Sequence, residues 1–514
     1  MKQILFSLSL IAGALLYGAE VFRCDFTSAE LQHWAMPPQA ARMSENGSDF
    51  VRFIVAKTKK AGQHLMTAPF DISAYQGKHL LVACRIRAFE VSKPRAYYNG
   101  IKVMIHFKTK QGDVWQNPTV AWGSFDWREF SSTFHVPESA VDGRLLVGLQ
   151  DSSGTVDFSD LTITTLEVSE VYPPVAKLPE GFRAEYTSRV ASVPRLRGAM
   201  SPSAYHKGDL DILASWGANL VRWQFTRNWG QVGSERDLVE YNKWIDSKCD
   251  EFEQVLADCE RLGMKVVLDL HTPPGGTNKE RDMAMFHEPE YAQAFIDVWK
   301  KIALRFKGRN SVVFGYNVVN EPNQRKMTSN NYLKQQYDAA LAIRKIDPEI
   351  PIIIESNISS SPDTFEYLTP LPIKDVIYQV HMYKPTQYTH QGIEWMAASN
   401  YPGVINGIRY DRETLRKVLE PVRKFQKKYG ARIYVGEFAA TRWAEGAERY
   451  MGDVISICEE YGWDWTYHAF RESKTWDVEY EGGSHGKGEV KAAAPTARFK
   501  VLQEGFRRNR SGRE

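Results

Sequence analysis

The sequence predicts an α/β chain in two parts: a (β/α)8 barrel preceded by a smaller antiparallel β-sandwich of jelly-roll type. Three observations carry this. From about residue 191 onward, eight near-continuous apolar runs alternate with amphipathic helical stretches. That is the pattern of parallel strands buried on both faces. From about residue 20 to 168, short alternating runs follow one another between Gly-, Asp- and Ser-rich turns, with few helical patterns. That is the spacing of antiparallel sheets. Finally, most of the eight runs end on a polar side chain, which is where a barrel of this kind keeps its chemistry.

In chain order, Lys2 precedes an apolar run over residues 4–17, with the small residues Gly18 and Ala19 behind it. This predicts a secretory signal peptide over 1–19, hence a secreted or periplasmic protein with no membrane attachment after cleavage. No later run reaches the roughly 18 apolar residues of a membrane span. The sandwich is expected over 20–170, with strands near 50–55, 80–85, 101–107, 145–149 and 161–164. A linker follows over 171–190, stiffened by Pro173, Pro174 and Pro179. The barrel is expected over 191–508. Its strands are the runs 196–200, 219–223, 265–271, 312–317, 350–356, 376–381, 432–437 and 463–470. Between the second and third runs, Val255, Leu256, Cys259 and Leu262 share one face of a helix.

Composition narrows the partners. The chain has 514 residues, enough for two or three domains. Its 65 basic and 62 acidic residues leave a net charge of +3, which argues for neither nucleic acid nor an anionic membrane surface. Five cysteines in this length do not make a disulfide framework; buried free thiols, with at most one bridge, are expected. No Cys/His spacing suggests zinc, and no cofactor is called for.

The strand ends carry the functional signal. The fourth run ends Val319-Asn320-Glu321-Pro322 and the seventh ends Val435-Gly436-Glu437-Phe438. Each delivers a carboxylate to the same end of the barrel. Arg222, His271, and His381 with Tyr383 stand at the ends of the second, third and sixth runs. Two carboxylates facing one cavity are the minimum equipment for glycoside hydrolysis.

On these strings the chain resembles glycoside hydrolase family 5, over roughly 195–505. The match rests on residues 219–223, 269–276, 317–322, 381–383 and 436–438. The resemblance implies a retaining β-glycosidase acting on β-linked polysaccharide or oligosaccharide, β-glucan first and β-mannan second. It implies Glu321 as acid/base, with a pKa raised by burial and by Glu437. It implies Glu437 as nucleophile, held ionised by Arg222. The two carboxyl groups should lie roughly 5–5.5 Å apart. Asn320 is expected at the sugar 2-hydroxyl, His271 and His381 beside it, and Tyr383 against Glu437. Family members usually carry a Trp on the eighth strand as a sugar platform. Here Trp465 is the favoured candidate, with His468, Phe470 and Trp476 as alternatives. Trp223, Trp229, Trp395 and Trp443 are candidates for outer subsites. The sandwich looks like a carbohydrate-binding module, with Trp115, Trp122, Trp127, Tyr97 and Tyr98 as candidate stacking rings. A monomer is expected. Transglycosylation by the same residues and a non-catalytic sugar-binding protein are the rival readings.

Overall fold

The structure, a computed structural model, describes residues 18–57, 62–94, 96, 98–110, 112–118, 120–227, 234–278, 281–393 and 396–509. The leader expected over 1–19 falls outside them but for its last two residues. Tyr97, Trp229 and Trp395 also lie outside. The chain divides into two compact units, Met1–Pro173 and Pro174–Glu514.

The first unit is built from ten described strands: β1 Glu20–Cys24, β2 Ala40–Glu45, β3 Ser48–Val55, β4 Gln63–Pro69, β5 His79–Val91, β6 Gly100–Thr109, β7 Gly112–Gln116, β8 Gly123–His135, β9 Val141–Gln150 and β10 Gly154–Leu166. One sheet runs β2-β3-β10-β5-β8 with β1 also on β10, and the other runs β4-β9-β6-β7. Neighbours are antiparallel throughout. The alternation seen in sequence decides which side chains face in. In β3, Val51, Phe53 and Val55 are buried while Ile54 is 62% exposed. Val103, Ile105 and Phe107 of β6 join them in one apolar cluster drawn from both sheets.

The second unit is a closed barrel of eight parallel strands. They are Arg197–Met200, Leu220–Gln224, Lys265–Asp269, Val313–Asn317, Ile352–Glu355, Val376–Met382, Arg432–Phe438 and Asp464–Tyr467. The strands pair in sequence order, and the eighth returns to the first. The connecting helices start and stop on local signals. Helix Leu238–Leu262 is capped by Asp237, which accepts the N–H groups of Val239 and Glu240, and ends at Gly263 in the left-handed conformation. Val255, Leu256 and Cys259 of that helix are buried. The stretch before the first strand is tied to the barrel, with Tyr186 donating to the Val376 carbonyl and Thr187 to Asp375.

Period-two alternation stacks the barrel interior in layers. Leu220, Val267, Ile353, Ile377 and Tyr434 belong to the apolar floor. Two residues further along the same strands come Arg222, Asp269, Glu355 and Gln379, all fully buried. The site lies above this polar layer. All five cysteines are buried free thiols, so no bridge forms. Among the described residues, no helix is long and apolar enough to cross a membrane.

Candidate active site

A cavity of about 870 Å³ opens at the C-terminal ends of the barrel strands. His271, Asn320, Glu321, His381, Tyr383 and Glu437 all line it. These six predicted residues therefore converge, although they come from four different strand ends.

Glu437 is held from both sides. Arg222 Nη1 donates to its Oε1 at 2.7 Å, and the Tyr383 hydroxyl donates to its Oε2 at 2.9 Å. Burial by itself would raise the Glu437 pKa. His381, His468, Arg222 and His271 outweigh burial and hold the carboxyl well below the usual range. Arg222 is fully buried. Its guanidinium is shared among Asn317 Oδ1 at 2.9 Å, Asn320 Oδ1 at 2.8 Å and Asp269 Oδ1 at 3.1 Å. A buried cation needs such a set of acceptors to offset the loss of water. Burial and Glu437 together also push the Tyr383 phenol far up, so it stays a donor.

Glu321 has a different setting. Its side chain is 32% exposed and its Oε1 lies 2.8 Å from His381 Nδ1. After the fourth strand ends at Asn317, the chain continues hydrogen-bonded to both neighbours, through Val318 N–H to the Ile353 carbonyl and Asn320 N–H to the Leu270 carbonyl. It then turns at Glu321, whose φ of +46° is left-handed. For a residue with a Cβ this costs about 1–2 kcal/mol. The turn aims the carboxyl into the cavity and its N–H down into the barrel, where Glu355 Oε2 accepts it at 2.8 Å.

His381 sits between the two carboxylates, with Nδ1 3.8 Å from Glu437 Oε2. Burial opposes its cation, but Glu437, Glu355 and Glu321 prevail and lift its pKa to about 9. His271 is turned by Asp269, 2.9 Å from its Nδ1, so that its Nε2 lies 3.3 Å from Asn320 Nδ2. Glu321, His381 and Glu437 offer three donor atoms within 4.8 Å of one another. As a metal set it is poor. Both Glu437 oxygens are already engaged, and Arg222 places a cation 2.7 Å away.

The family model for cellulase, glycosyl hydrolase family 5, matches residues 189–474. The chain belongs to glycosyl hydrolase family 5. It is a glycosidase, and its substrate is a carbohydrate. Endoglucanase C of Acetivibrio thermocellus is 26% identical over 291 residues, covering 50% of this chain and 82% of that protein. Cellodextrinase A of Ruminococcus flavefaciens is 28% identical over 272 residues, covering 50% and 72%. The solved structure of Thermotoga maritima Cel5A with cellobiose is 21% identical at a TM-score of 0.46, covering 62% of this chain and 98% of that one.

One residue of the predicted family 5 site is misplaced. Trp465 does not face the cavity. It is fully buried on the helix side of the eighth strand, stacked on Phe506 at 5.3 Å and donating its indole N–H to Glu459 at 2.9 Å. In a strand successive side chains alternate, and here Thr466 takes the inward side, bonded to Tyr434 and the Gly436 carbonyl. The inward series continues to His468, which lines the cavity and pairs with Glu472 at 2.6 Å. Burial disfavours the His468 cation, but Glu472 and Glu437 raise its pKa. An indole that does line the cavity comes from a loop. Trp476 lines it, with ring centroids 4.9 Å from His390, 5.7 Å from His468 and 6.2 Å from Tyr383.

The remaining candidate rings divide. Trp223 is buried, and Trp443 is pinned by its N–H to the Gln391 carbonyl. In the first unit Trp115, Trp122 and Tyr98 are more than half exposed, while Trp127 packs under Arg87 and against Phe50. Sequence reasoning assigned no role to Asp269, Asn317, Glu355, Gln379, His390 or Glu472. Glu355 had a legible signal, an apolar run ending on a glutamate as in the fourth and seventh strands.

Proposed function

We propose that this glycosidase cleaves β-linked glucan, with β-mannan second, by double displacement with retention at the anomeric carbon. The observation that carries the reading is the paired but unlike environment of Glu321 and Glu437. An oxygen of each lies within 4.8 Å of the other. This fits the retaining separation of roughly 5–5.5 Å between carboxyl groups better than the roughly 6.5–9.5 Å of inverting enzymes. Glu437, gripped by Arg222 and Tyr383, attacks the anomeric carbon as a carboxylate. The bond to the leaving oxygen breaks as Glu321 gives that oxygen its proton. A water then yields a proton to Glu321 and attacks the same carbon, releasing Glu437. Asn320 and His271 lie at the cavity edge of the Arg222 network, positioned for hydroxyls of the sugar under attack. The relatives named endoglucanase and cellodextrinase support the β-glucan choice.

The enzyme is read as secreted or periplasmic, from the leader-like run before residue 20. Its first unit is read as a carbohydrate-binding module, supported by the exposed rings of Trp115, Trp122 and Tyr98. A panel of glucans, mannans, xyloglucan and xylan with product sizing identifies the polymer and separates hydrolysis from transfer to a sugar. Glu437→Ala should lose at least ~10³-fold in turnover, and azide should restore an inverted glycosyl azide. Near-native turnover in that variant would overturn the mechanism.

A further inference from the structure

The reaction as read above uses Glu321 and Glu437, yet a third carboxylate lies directly beneath them. Glu355 ends the fifth strand and is fully buried. A carboxylate in such a place is costly unless it is tied to something. Its ties point in one direction. Oε2 accepts the Glu321 N–H at 2.8 Å, and Oε1 receives the Gln379 carboxamide. Arg222, at 3.4 Å, is a longer contact than the 3.1 Å from Arg222 to Asp269. The Gln379 carboxamide nitrogen also lies 2.9 Å from His381 Nε2, and the other ring nitrogen of His381 lies 2.8 Å from Glu321 Oε1. Glu321 is therefore held at two points, backbone and carboxyl, and both ties run back to Glu355 and Gln379.

The surroundings are shaped to keep Glu355 in place. The Gln336 side chain, itself buried, accepts the Glu355 N–H at 2.9 Å and donates to the Glu355 carbonyl at 2.9 Å. Gly436 leaves the room that Gln379 fills, since a Cβ there would stand 2.4 Å from the Gln379 carboxamide carbon. Burial raises the Glu355 pKa to about 7. Ionised or not, its Oε2 remains able to accept the Glu321 N–H.

The left-handed turn at Glu321 gives this bond its purpose. At that residue the chain has left the sheet, and its N–H has no strand to pair with. A buried acceptor at a fixed height defines the turn, and the turn defines where the carboxyl points. We infer that Glu355 is a positioning residue for Glu321, holding the proton donor at the leaving oxygen through the Glu321 N–H and the Gln379–His381 bridge. This rests on the reading of Glu321 as acid/base.

The test separates reach from charge. Glu355→Asp keeps the charge but withdraws the oxygen by one methylene. Glu355→Gln keeps an oxygen at the right distance and loses the charge. Each is assayed with a cello-oligosaccharide, whose leaving group needs a proton, and with a 2,4-dinitrophenyl β-cellobioside, whose leaving group does not. Glu321→Ala is run alongside, and thermal melts confirm folding. Glu355→Asp should lose on the order of 100-fold in kcat/KM on the oligosaccharide, the scale of a misplacement near 1 Å. It should lose less than about 3-fold on the activated substrate, whose departure needs no acid help, and Glu355→Gln should recover most of the first loss. Equal losses on both substrates in Glu355→Asp, while Glu321→Ala discriminates between them, would overturn the role of Glu355. So would a folded Glu355→Asp with native kinetics. If Glu321→Ala does not discriminate, the acid/base reading falls and takes this inference with it. Should Glu355→Asp fail to fold, Gln379→Leu cuts the same bridge and is held to the same split.

Discussion

At the scale of single residues, charge placement separates the roles of two chemically identical glutamates. Arg222 and Tyr383 each donate to Glu437, whereas among the described residues the Glu321 carboxyl group is met by His381 alone. Removing the cation should therefore act on Glu437. In Arg222→Met the Glu437 pKa rises, so the acid limb of kcat/KM moves to higher pH; in Arg222→Lys, which keeps a charge, it moves less. A pH–rate series with an aryl glycoside reads this directly, and an unmoved limb in Arg222→Met would remove Arg222 from that part. Glu437 and Arg222 were legible because each ends an apolar run. Glu355 also ends an apolar run, but neither its role nor that of Gln379 was legible, because the meaning of each lies in a contact with a residue from another strand. Asp269 was hidden for the same reason, since one of its oxygens meets Arg222 of the neighbouring strand at 3.1 Å while the other orients His271.

At the scale of elements, the eighth strand shows how one register decides a role. Trp465 and Trp476 are 11 positions apart, yet one closes the barrel against its last helix and the other lines the cavity. Gly505 permits the first contact, since a Cβ there would stand 2.9 Å from the Trp465 ring. Trp465→Ala should cost about 3–5 kcal/mol of stability, measured by denaturant, with the surviving enzyme keeping its KM. Trp476→Ala should leave stability within about 0.5 kcal/mol and raise KM on oligosaccharides. The reverse pattern would overturn both assignments. The same strand is bound by Glu459, which takes Trp465 N–H at 2.9 Å and Arg197 at 2.7 Å. Burial would raise Glu459, but Arg197, Trp465 and Arg195 bring its pKa down to about 2 from 4.5. A depressed folded pKa gives stability that is present above 4.5 and lost as pH falls toward 2. At the full shift this is worth up to about 3 kcal/mol. Glu459→Gln should flatten that part of the stability–pH curve, and an unchanged slope between those pH values would exclude it.

At the scale of the whole molecule, the two units are built on opposite rules, antiparallel alternation in one and parallel burial in the other. Two rings of the first unit are more than half open to solvent: Trp115, stacked on one side against His106 at 3.8 Å, is 56% exposed, and Trp122 is 54% exposed. If they meet polysaccharide, Trp115→Ala and Trp122→Ala should each weaken pull-down on insoluble glucan by roughly tenfold, the worth of one stacked ring at about 1.4 kcal/mol. Turnover of a soluble aryl glycoside should not change. Unaltered binding would assign the rings to another purpose. The sequence by itself determined the barrel, the order of its strands and the carboxylate pair. Those are properties of runs, and a run records its own burial and its own end. Only the tertiary structure decided which face of the eighth strand looks inward, that the ring beside Tyr383 comes from a loop, and that Glu355 reaches Glu321 across the barrel. Those follow from strand pairing around a closed circle, where residues distant in sequence acquire a common height and a shared interior.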